Sequence, residues 1–277
     1  RGIGKAGWIG LGWPKDFGGE ARSPLEQIAF METMEQGEAP RIGASIQANA
    51  LMMFGTPAQQ QKYLPEILCG EAMHGMGYSE PQAGSDLAAL RTSAVQDGEC
   101  WVINGQKIWT TTWWGKYMFL AARTDKNAKP PHAGISEIIV PMDTPGIDVR
   151  PITDMTTNRH FCEVFFTDVR VPAEHLVGVE GAAFKQTMRQ LEHERGGIDR
   201  LVANYALYQH ALQVADTTDP VVRQRIAELE TGYRIGRILV IREVLHQAPG
   251  GFSAATKCFC TEHETRVADF VSTRAAA

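Results

Sequence analysis

Three stretches of the 277-residue chain combine residue types that could bind or transform a small molecule. The first stretch, Gly77-Tyr-Ser-Glu-Pro-Gln-Ala-Gly-Ser-Asp86, places Pro81 and Gly84 between the hydroxyl side chains of Ser79 and Ser85. Backbone N–H groups and small hydroxyls in such a bend can hold an anion or a carbonyl-rich ring. The same composition is also typical of an ordinary surface turn, so both interpretations stay open at this point.

The second stretch is Asn104-Gly-Gln-Lys-Ile-Trp-Thr-Thr-Thr112. Trp109 offers a large flat surface, and Thr111 follows two residues later, which puts both side chains on one side of an extended chain. An aromatic face beside a hydroxyl suits a planar heterocycle. A tryptophan in a sheet is also a common core residue, and that alternative is kept.

The third stretch, Leu191-Glu-His-Glu-Arg-Gly-Gly197, is predicted to lie on a helix, with Glu194 and Arg195 in the turn before Ile198. Each glycine costs about 1 kcal/mol in a helix relative to alanine, so the pair indicates that something packs closely against the backbone. The alternative is a solvated charge cluster in which Glu192 pairs with Arg195 three residues later.

The elements that position these residues change along the chain, beginning with helices. Ser23-Pro-Leu-Glu26 and Thr56-Pro-Ala-Gln59 each combine a capping hydroxyl, proline at the first helical position and a Glu or Gln at the third. Gly70 is a suitable stop for the second helix. The first part of the chain is therefore predicted to be helical.

The middle of the chain has the pattern of a sheet. Asp97-Gly98 and Asn104-Gly105 are typical hairpin turns. The runs with strand character are 100–103, 106–109, 117–121, 135–140 and 163–166. Strands joined by turns rather than by helices predict an antiparallel meander or barrel.

Helical spacing returns after the sheet. One helix is predicted over 182–214, a second begins at Asp219-Pro220, and a third follows Ser253. One face of the second helix carries mostly apolar residues at helical spacing, namely Val222, Ile226, Leu229, Tyr233, Gly236 and Val240.

Composition excludes several classes of protein. The hydrophobic content of 44% is that of a folded globular chain, and 27 Lys+Arg against 32 Asp+Glu give a net charge of −5. This charge argues against nucleic-acid binding, and no apolar run reaches the roughly 18–20 residues that membrane insertion requires. The five scattered cysteines predict free thiols in a cytoplasmic protein and no metal site, since Cys258 and Cys260 are too close for a zinc knuckle.

Together, the three stretches resemble the acyl-CoA dehydrogenase family. Gly10-Leu-Gly-Trp-Pro-Lys-Asp-Phe-Gly-Gly19 and Phe166-Thr-Asp-Val-Arg-Val-Pro172 extend the resemblance over nearly the whole chain. It implies an α+β fold with an N-terminal helical domain (1–72), a middle antiparallel β-barrel domain (73–178) and a C-terminal helical bundle (179–277). The chain lacks a starting methionine, and it ends before the last helices of the family bundle, so truncation at both ends is expected.

The resemblance also implies a role for each candidate residue. The residues expected to bind FAD are Met76, Tyr78, Ser79, Gly84, Ser85, Trp109, Thr110 and Thr111. Ser85 is also expected near the thioester, and Glu192 and Arg195 are expected to contact the CoA part of the substrate. Glu194 matches the catalytic base of those family members that carry it on this helix.

The expected reaction is FAD-dependent dehydrogenation of an acyl-CoA to the trans-2-enoyl-CoA, with an electron-transfer flavoprotein as electron acceptor. The Glu-His-Glu-Arg sequence looks most like the bacterial heteromeric enzymes that act on steroid side chains, which favours an α2β2 tetramer over a homotetramer. Family members carry an Arg followed by Phe-Gly that reaches the FAD diphosphate of a neighbouring subunit, whereas residues 214–219 offer only Asp216 and Asp219 as charges. The missing Arg keeps a non-catalytic partner subunit as one alternative. An acyl-CoA oxidase-like enzyme, which passes its electrons to oxygen, is the other.

Overall fold

The computed structural model describes residues 2–39, 45–194 and 198–274. The chain divides into two compact units: the first comprises 1–10, 14–19 and 44–190, and the second comprises 11–13, 20–43 and 191–277. The domain boundaries that the sequence suggests, after residues 72 and 178, stay predictions. Among the described residues, no helix combines the length and the apolar character needed to cross a membrane.

The N-terminal helices of the first unit are α1 (Gly2–Lys5), α3 (Ser45–Phe54) and α4 (Pro57–Leu68). A capping box opens α4, because the Thr56 hydroxyl accepts the Gln59 N–H (3.2 Å) and the Gln59 side chain accepts the Thr56 N–H (3.0 Å). Gly70 follows the helix in a left-handed conformation with φ 66°. The start and the stop predicted for this helix are confirmed.

The rest of the first unit is built on one mostly antiparallel sheet. Its strands are β1 (His74–Gly77), β2 (Ser93–Asp97), β3 (Cys100–Thr110), β4 (Tyr117–Arg123), β5 (Ile135–Pro141), β6 (Ile147–Ile152), β7 (Phe161–Pro172) and β8 (Leu176–Val177). The strand order is β6-β7-β3-β2-β4-β5-β8, and β1 pairs with β4. The pairing of β4 with β1, and with β2 at one position, is parallel rather than antiparallel.

Asp97-Gly98 forms the predicted hairpin between β2 and β3, but the turn predicted at Asn104-Gly105 is wrong. β3 continues through these residues, with a shift in its register to β7 between Ile103 and Gly105. The Asn104 side chain donates to Asp168 on β7 (3.0 Å) and accepts the Asp168 backbone N–H (2.9 Å). Asn104 is therefore tied across the strand pair, and a bulge replaces the turn.

The second unit contains α2 (Pro24–Gln36), α6 (Ile198–Val202), α7 (Tyr205–Val214), α8 (Pro220–Val244) and α9 (Phe252–Arg274). Ser23 opens α2 with the predicted capping box, and the Asp219 carboxylate caps α8 by accepting the Val221 N–H (2.7 Å). The predicted apolar face of α8 is confirmed by the burial of Val222, Leu229, Tyr233, Gly236 and Val240.

The prediction of one continuous helix over 182–214 is wrong. α5 (Ala183–Glu194) ends within the first part of that range, and a turn separates α6 from α7. Asn204 lies in this turn, and its side chain donates to the Glu264 carbonyl (3.1 Å). This hydrogen bond ties the turn between α6 and α7 to α9.

Candidate active site

The first candidate stretch is a tight loop, residues 78–86, that follows β1. Glu80 and Ala83 exchange backbone hydrogen bonds of 2.8 and 3.0 Å, so Pro81 and Gln82 form the tip of the turn. The Ile108 N–H donates to the Ser79 carbonyl (2.9 Å), which attaches the loop to β3. Ser79 is half-buried, whereas Gly84 and Ser85 are exposed.

The second candidate stretch, the end of β3, brings Trp109 to the surface. The register of β3 with β7 shifts again between Ile108 and Thr110, and Trp109 adopts φ 65°. Its indole is 57% exposed and packs edge-on against Phe161, with ring centroids 5.8 Å apart. A large aromatic side chain at positive φ is rare, and such strained positions cluster at ligand sites.

The two threonines after Trp109 differ in their environment. Thr111 is exposed, as Trp109 is. The sequence argument placed both side chains on one side of an extended chain, but the backbone at Trp109 is not extended. Thr110 is buried, and its hydroxyl donates to the Met76 carbonyl (3.3 Å). Any contact of Thr110 with a bound cofactor would therefore have to use its backbone.

A buried ion pair that the sequence analysis missed holds loop 78–86. Lys107 on β3 is completely buried, and its ammonium donates to the Glu80 carboxylate (2.8 Å) and to the Tyr78 carbonyl (3.0 Å). The same carboxylate accepts the backbone N–H groups of Arg91 (2.7 Å) and Thr92 (2.8 Å) and the Gln82 side chain (2.7 Å). Every Glu80 lone pair thus has a donor available.

The charges of this pair follow from its surroundings. Burial by itself raises the pKa of Glu80, but the Lys107 ammonium and the hydrogen bonds from Thr92 and Arg91 outweigh it and lower the pKa to about 2. Burial lowers the pKa of Lys107 to about 8, against the opposing effect of Glu80. Because pH 7 lies between these two values, both groups are ionised at neutral pH.

A second buried glutamate lies next to the loop. Glu137 on β5 is 1% exposed, and its carboxyl group contacts the Tyr78 hydroxyl (2.6 Å) and the Gln190 side-chain nitrogen (3.0 Å). The Tyr78 hydroxyl also contacts the Gln190 side-chain oxygen (2.9 Å). Burial raises the pKa of Glu137, as it does that of Tyr78. These contacts form a closed ring of three side chains, the Tyr78–Glu137–Gln190 ring.

Sequence signals for these buried polar residues existed. Lys107 lies an even number of residues after the apolar residues Trp101 and Ile103 on β3, and alternation therefore places it on their inward face. A buried lysine needs an anionic partner. Glu137 stands in a strand that is otherwise apolar apart from Ser136. Neither signal says which partner the residue takes, because the partners come from distant segments of the chain.

The third candidate stretch lies at the limit of what the structure describes. α5 ends at Glu194, and the side chains of Glu192 and Glu194 fall outside the described part. Arg195, Gly196 and Gly197 lie outside the described residues altogether. The roles predicted for Glu192, Glu194 and Arg195 therefore stay predictions, as do those of the residues around loop 78–86.

The segment 214–219 uses its two carboxylates locally. Asp216 accepts the Thr218 N–H (2.9 Å) and the Thr218 hydroxyl (2.6 Å), and Asp219 caps α8. The Arg223 guanidinium, which the sequence analysis did not consider, donates to the Thr217 and Thr218 carbonyls (3.0 and 2.9 Å). A cation therefore does lie beside this segment, bound to its backbone.

Comparison with known proteins identifies the family. Residues 1–71 match the profile of the acyl-CoA dehydrogenase N-terminal domain, and residues 75–169 match that of the acyl-CoA dehydrogenase middle domain. Acyl-CoA dehydrogenase IpdE1 of Mycobacterium tuberculosis is 40% identical over 243 residues, which are 84% of this chain and 63% of that protein. The chain thus spans slightly less than two thirds of this relative.

Two solved structures extend the comparison to the fold. The structure described as the Tcur3481-Tcur3483 steroid ACAD superimposes with a TM-score of 0.89 at 34% identity, covering 98% of this chain and 73% of that one. The ChsE4-ChsE5 complex from Mycobacterium tuberculosis gives 0.85 at 31% identity, covering 100% and 76%. The predicted α+β fold of N-terminal helices, a middle sheet domain and C-terminal helices is confirmed. The chain belongs to the acyl-CoA dehydrogenase family.

Proposed function

We propose that this chain is an FAD-dependent acyl-CoA dehydrogenase subunit that converts an acyl-CoA thioester to the trans-2-enoyl-CoA. The observation that carries the proposal is the end of β3, where an exposed Trp109 at positive φ lies on the strand to which loop 78–86 is attached. A flat aromatic surface beside exposed hydroxyl groups suits the ring of a flavin, and family membership supports this choice of cofactor.

In this proposal the flavin site consists of Trp109, Thr111 and loop 78–86. Ser85 and Thr111 are exposed and free to donate to ring carbonyls or nitrogens, and Ser85 would also approach the thioester. A Cβ atom added at Gly84 would meet no atom within 4 Å, so open space lies beside this backbone. Met76, Tyr78 and Ser79 would hold the loop beside the cofactor, and Thr110 would contribute through its backbone.

The base of the reaction would be Glu194 on α5. Its carboxylate takes the proton from Cα of the thioester, while Glu192 and Arg195 bind the CoA part of the substrate. When bound, FAD supplies the acceptor for the hydride that leaves Cβ. A carboxylate covered by substrate and cofactor loses water, which raises its basicity toward what proton removal requires.

The proposed substrate class and assembly follow from the relatives and from residues 214–219. One similar structure is described as a steroid ACAD, and the other is a complex of two named chains. Asp216 and Asp219 lie where the family places a cation for the FAD diphosphate, and the nearby Arg223 guanidinium is bound to backbone carbonyls. We therefore favour an α2β2 cytoplasmic enzyme for steroid side chains or other acyl groups, with an electron-transfer flavoprotein as acceptor.

The test compares the protein purified alone with the protein co-expressed with an adjacent acyl-CoA dehydrogenase-like gene. We expect little flavin per chain in the first sample and about one flavin per heterodimer in the second. Anaerobic addition of short-chain, long-chain and steroid acyl-CoAs should then bleach the flavin of the complex. Peroxide release under air would instead favour an oxidase.

Two variants separate the outcomes. Trp109→Ala should lower flavin content without unfolding the protein, and Trp8→Ala, a change of another exposed tryptophan, serves as the control.

Tight binding of one FAD per chain by the protein alone would contradict the heteromer, but not the dehydrogenase. Absence of flavin from both samples, or bound flavin that no acyl-CoA bleaches, would contradict the dehydrogenase itself.

A further inference from the structure

The Tyr78–Glu137–Gln190 ring needs one more proton than an ionised glutamate allows. The ring has three polar contacts: Tyr78 hydroxyl to Glu137 (2.6 Å), Tyr78 hydroxyl to Gln190 oxygen (2.9 Å) and Gln190 nitrogen to Glu137 (3.0 Å). Each contact requires one hydrogen between its two heavy atoms. Tyr78 supplies one, and the Gln190 amide supplies one at its single nitrogen contact, so the third must come from Glu137.

The orientation of the Gln190 amide does not change this count. With the amide reversed, its nitrogen would donate to the Tyr78 hydroxyl, and its oxygen would face the other Glu137 oxygen at the same 3.0 Å separation. An ionised Glu137 therefore leaves one oxygen–oxygen contact without a hydrogen in either orientation. A protonated Glu137 completes the ring by donating to Tyr78, which donates to Gln190, which donates back to Glu137.

Nothing in the described surroundings offers Glu137 a compensating charge. Its strand partners are Ala121 on β4 and Val177 on β8, and α5 faces it with Gln186 and Gln190. Of the described groups that face it, only Tyr78 titrates and none is a cation. Burial raises the pKa of Glu137 and outweighs the hydrogen bonds from Tyr78, Gln190 and Gln186, which act in the opposite direction, so the environment agrees with the proton count.

We propose that Glu137 is a neutral carboxylic acid at pH 7, and that its proton closes the ring and makes Glu137 a positioning residue for loop 78–86. The ring joins three separate elements: β5, the start of the loop and α5. Gln190 precedes Glu194 by four residues on the same helix. That the positioned loop contacts flavin and substrate rests on the proposed function, whereas the charge state of Glu137 does not.

Infrared difference spectroscopy of the purified protein tests the charge state directly. The variant Glu137→Gln retains the shape of the side chain and can make the same three contacts, since its amide nitrogen replaces the donating O–H. Wild type minus variant at pH 7 should show the C=O stretch of a protonated carboxylic acid, shifted in D2O. Loss of carboxylate stretches instead would overturn the proposal.

Glu80→Gln is the matched reference, because it removes a buried glutamate that is ionised beside Lys107. Its difference spectrum should show carboxylate stretches only. Tyr78→Phe removes the acceptor of the Glu137 proton and should shift the carboxylic-acid band without abolishing it, so the test survives if Glu137→Gln does not fold. An unchanged band in Tyr78→Phe would overturn the ring.

The pH dependence of unfolding gives a second readout. Since the folded pKa of Glu137 lies above that of the unfolded chain, the native state holds a proton that the unfolded state releases above about pH 4.5. The unfolding constant of wild type relative to Glu137→Gln should therefore rise between pH 5 and 7, by at most about tenfold per unit. A constant ratio would overturn the proposal, and neither measurement depends on whether flavin binds.

Discussion

Loop 78–86 is anchored by the buried side chain of Glu80, and α8 and α9 meet at buried side chains such as Tyr233 and His263, but the two regions are held by opposite means. The loop is fixed by polar groups, with Lys107 and Glu80 on one side and the Tyr78–Glu137–Gln190 ring on the other. The helix pair is fixed by close apolar and aromatic packing around Tyr233 and His263, whose ring centroids are 4.4 Å apart.

This difference separates two requirements of the molecule. A charge in a low-dielectric interior is tolerated only in one geometry, so the polar contacts determine where loop 78–86 lies. Apolar packing has no directional requirement of this kind, and it responds to size and shape rather than to charge. We therefore expect the loop region to be sensitive to pH and charge, and the α8–α9 region to be sensitive to added volume.

The largest effect should come from removing the buried cation. Lys107→Met retains most of the side-chain volume but leaves the Glu80 carboxylate, 4% exposed, without its counter-ion. Breaking a buried ion pair on one side costs about 3–5 kcal/mol in the free energy of unfolding, measurable by chemical denaturation.

A double variant distinguishes charge from packing as the cause. Glu80→Gln combined with Lys107→Met removes both charges and should recover much of the loss. A loss below about 1 kcal/mol for Lys107→Met alone, as found for exposed pairs, would show that charge does not hold this loop.

Acid should weaken the same region. The pKa of Glu80 is lowered from 4.5 to about 2 in the folded protein, so its stabilisation is complete above pH 4.5 and is lost as the pH falls toward 2. Hydrogen exchange of the Arg91 and Thr92 amides, which donate to Glu80, should accelerate in acid relative to amides in the core of α8.

Acid should protonate only one of the two buried glutamates. Protonating Glu80 breaks a favourable pair, whereas Glu137 already carries its proton in the proposed ring. Equal protection of the Arg91 and Thr92 amides at pH 6 and pH 3, after correction for intrinsic exchange rates, would contradict the role given to Glu80.

The smallest effect concerns volume in the helix pair. A methyl group added at Gly232 on α8 would overlap the His263 ring, which is 1% exposed on α9 and packs against Tyr233. Gly232→Ala should lower the free energy of unfolding by about 1–2 kcal/mol, because the cost of overpacking exceeds the gain in helix propensity.

Gly250→Ala is the matched control for that substitution, since its added methyl group would have no neighbour within 4 Å. Its stability should be unchanged or slightly higher. Equal stability of the two alanine variants would mean that His263 moves aside easily and that packing at Gly232 is loose.

Local patterns were sufficient to predict part of this structure. The capping boxes at Ser23 and Thr56 depend on residues within one turn, so sequence alone predicts where α2 and α4 begin. The buried face of α8 likewise follows from periodicity.

Long-range contacts account for what sequence could not predict. Asn104-Gly105 has the composition of a turn, but its side-chain partner Asp168 is 64 residues away and keeps β3 continuous. The turn before α7 is tied to Glu264, 60 residues from Asn204. The partners of Lys107 and Glu137 also come from other elements, so only their unusual burial could be inferred from the strand pattern.

The most direct test of the proposed function is the rate of flavin reduction by acyl-CoA in anaerobic stopped-flow experiments with the complex. Glu194→Gln should retain its flavin and still bind substrate, while the rate of reduction falls by about 10²–10⁴-fold, since the base is gone. Glu192→Gln is the matched change two residues away, and it should weaken substrate binding more than it lowers the limiting rate. A near-normal limiting rate in Glu194→Gln would contradict its assignment as the base.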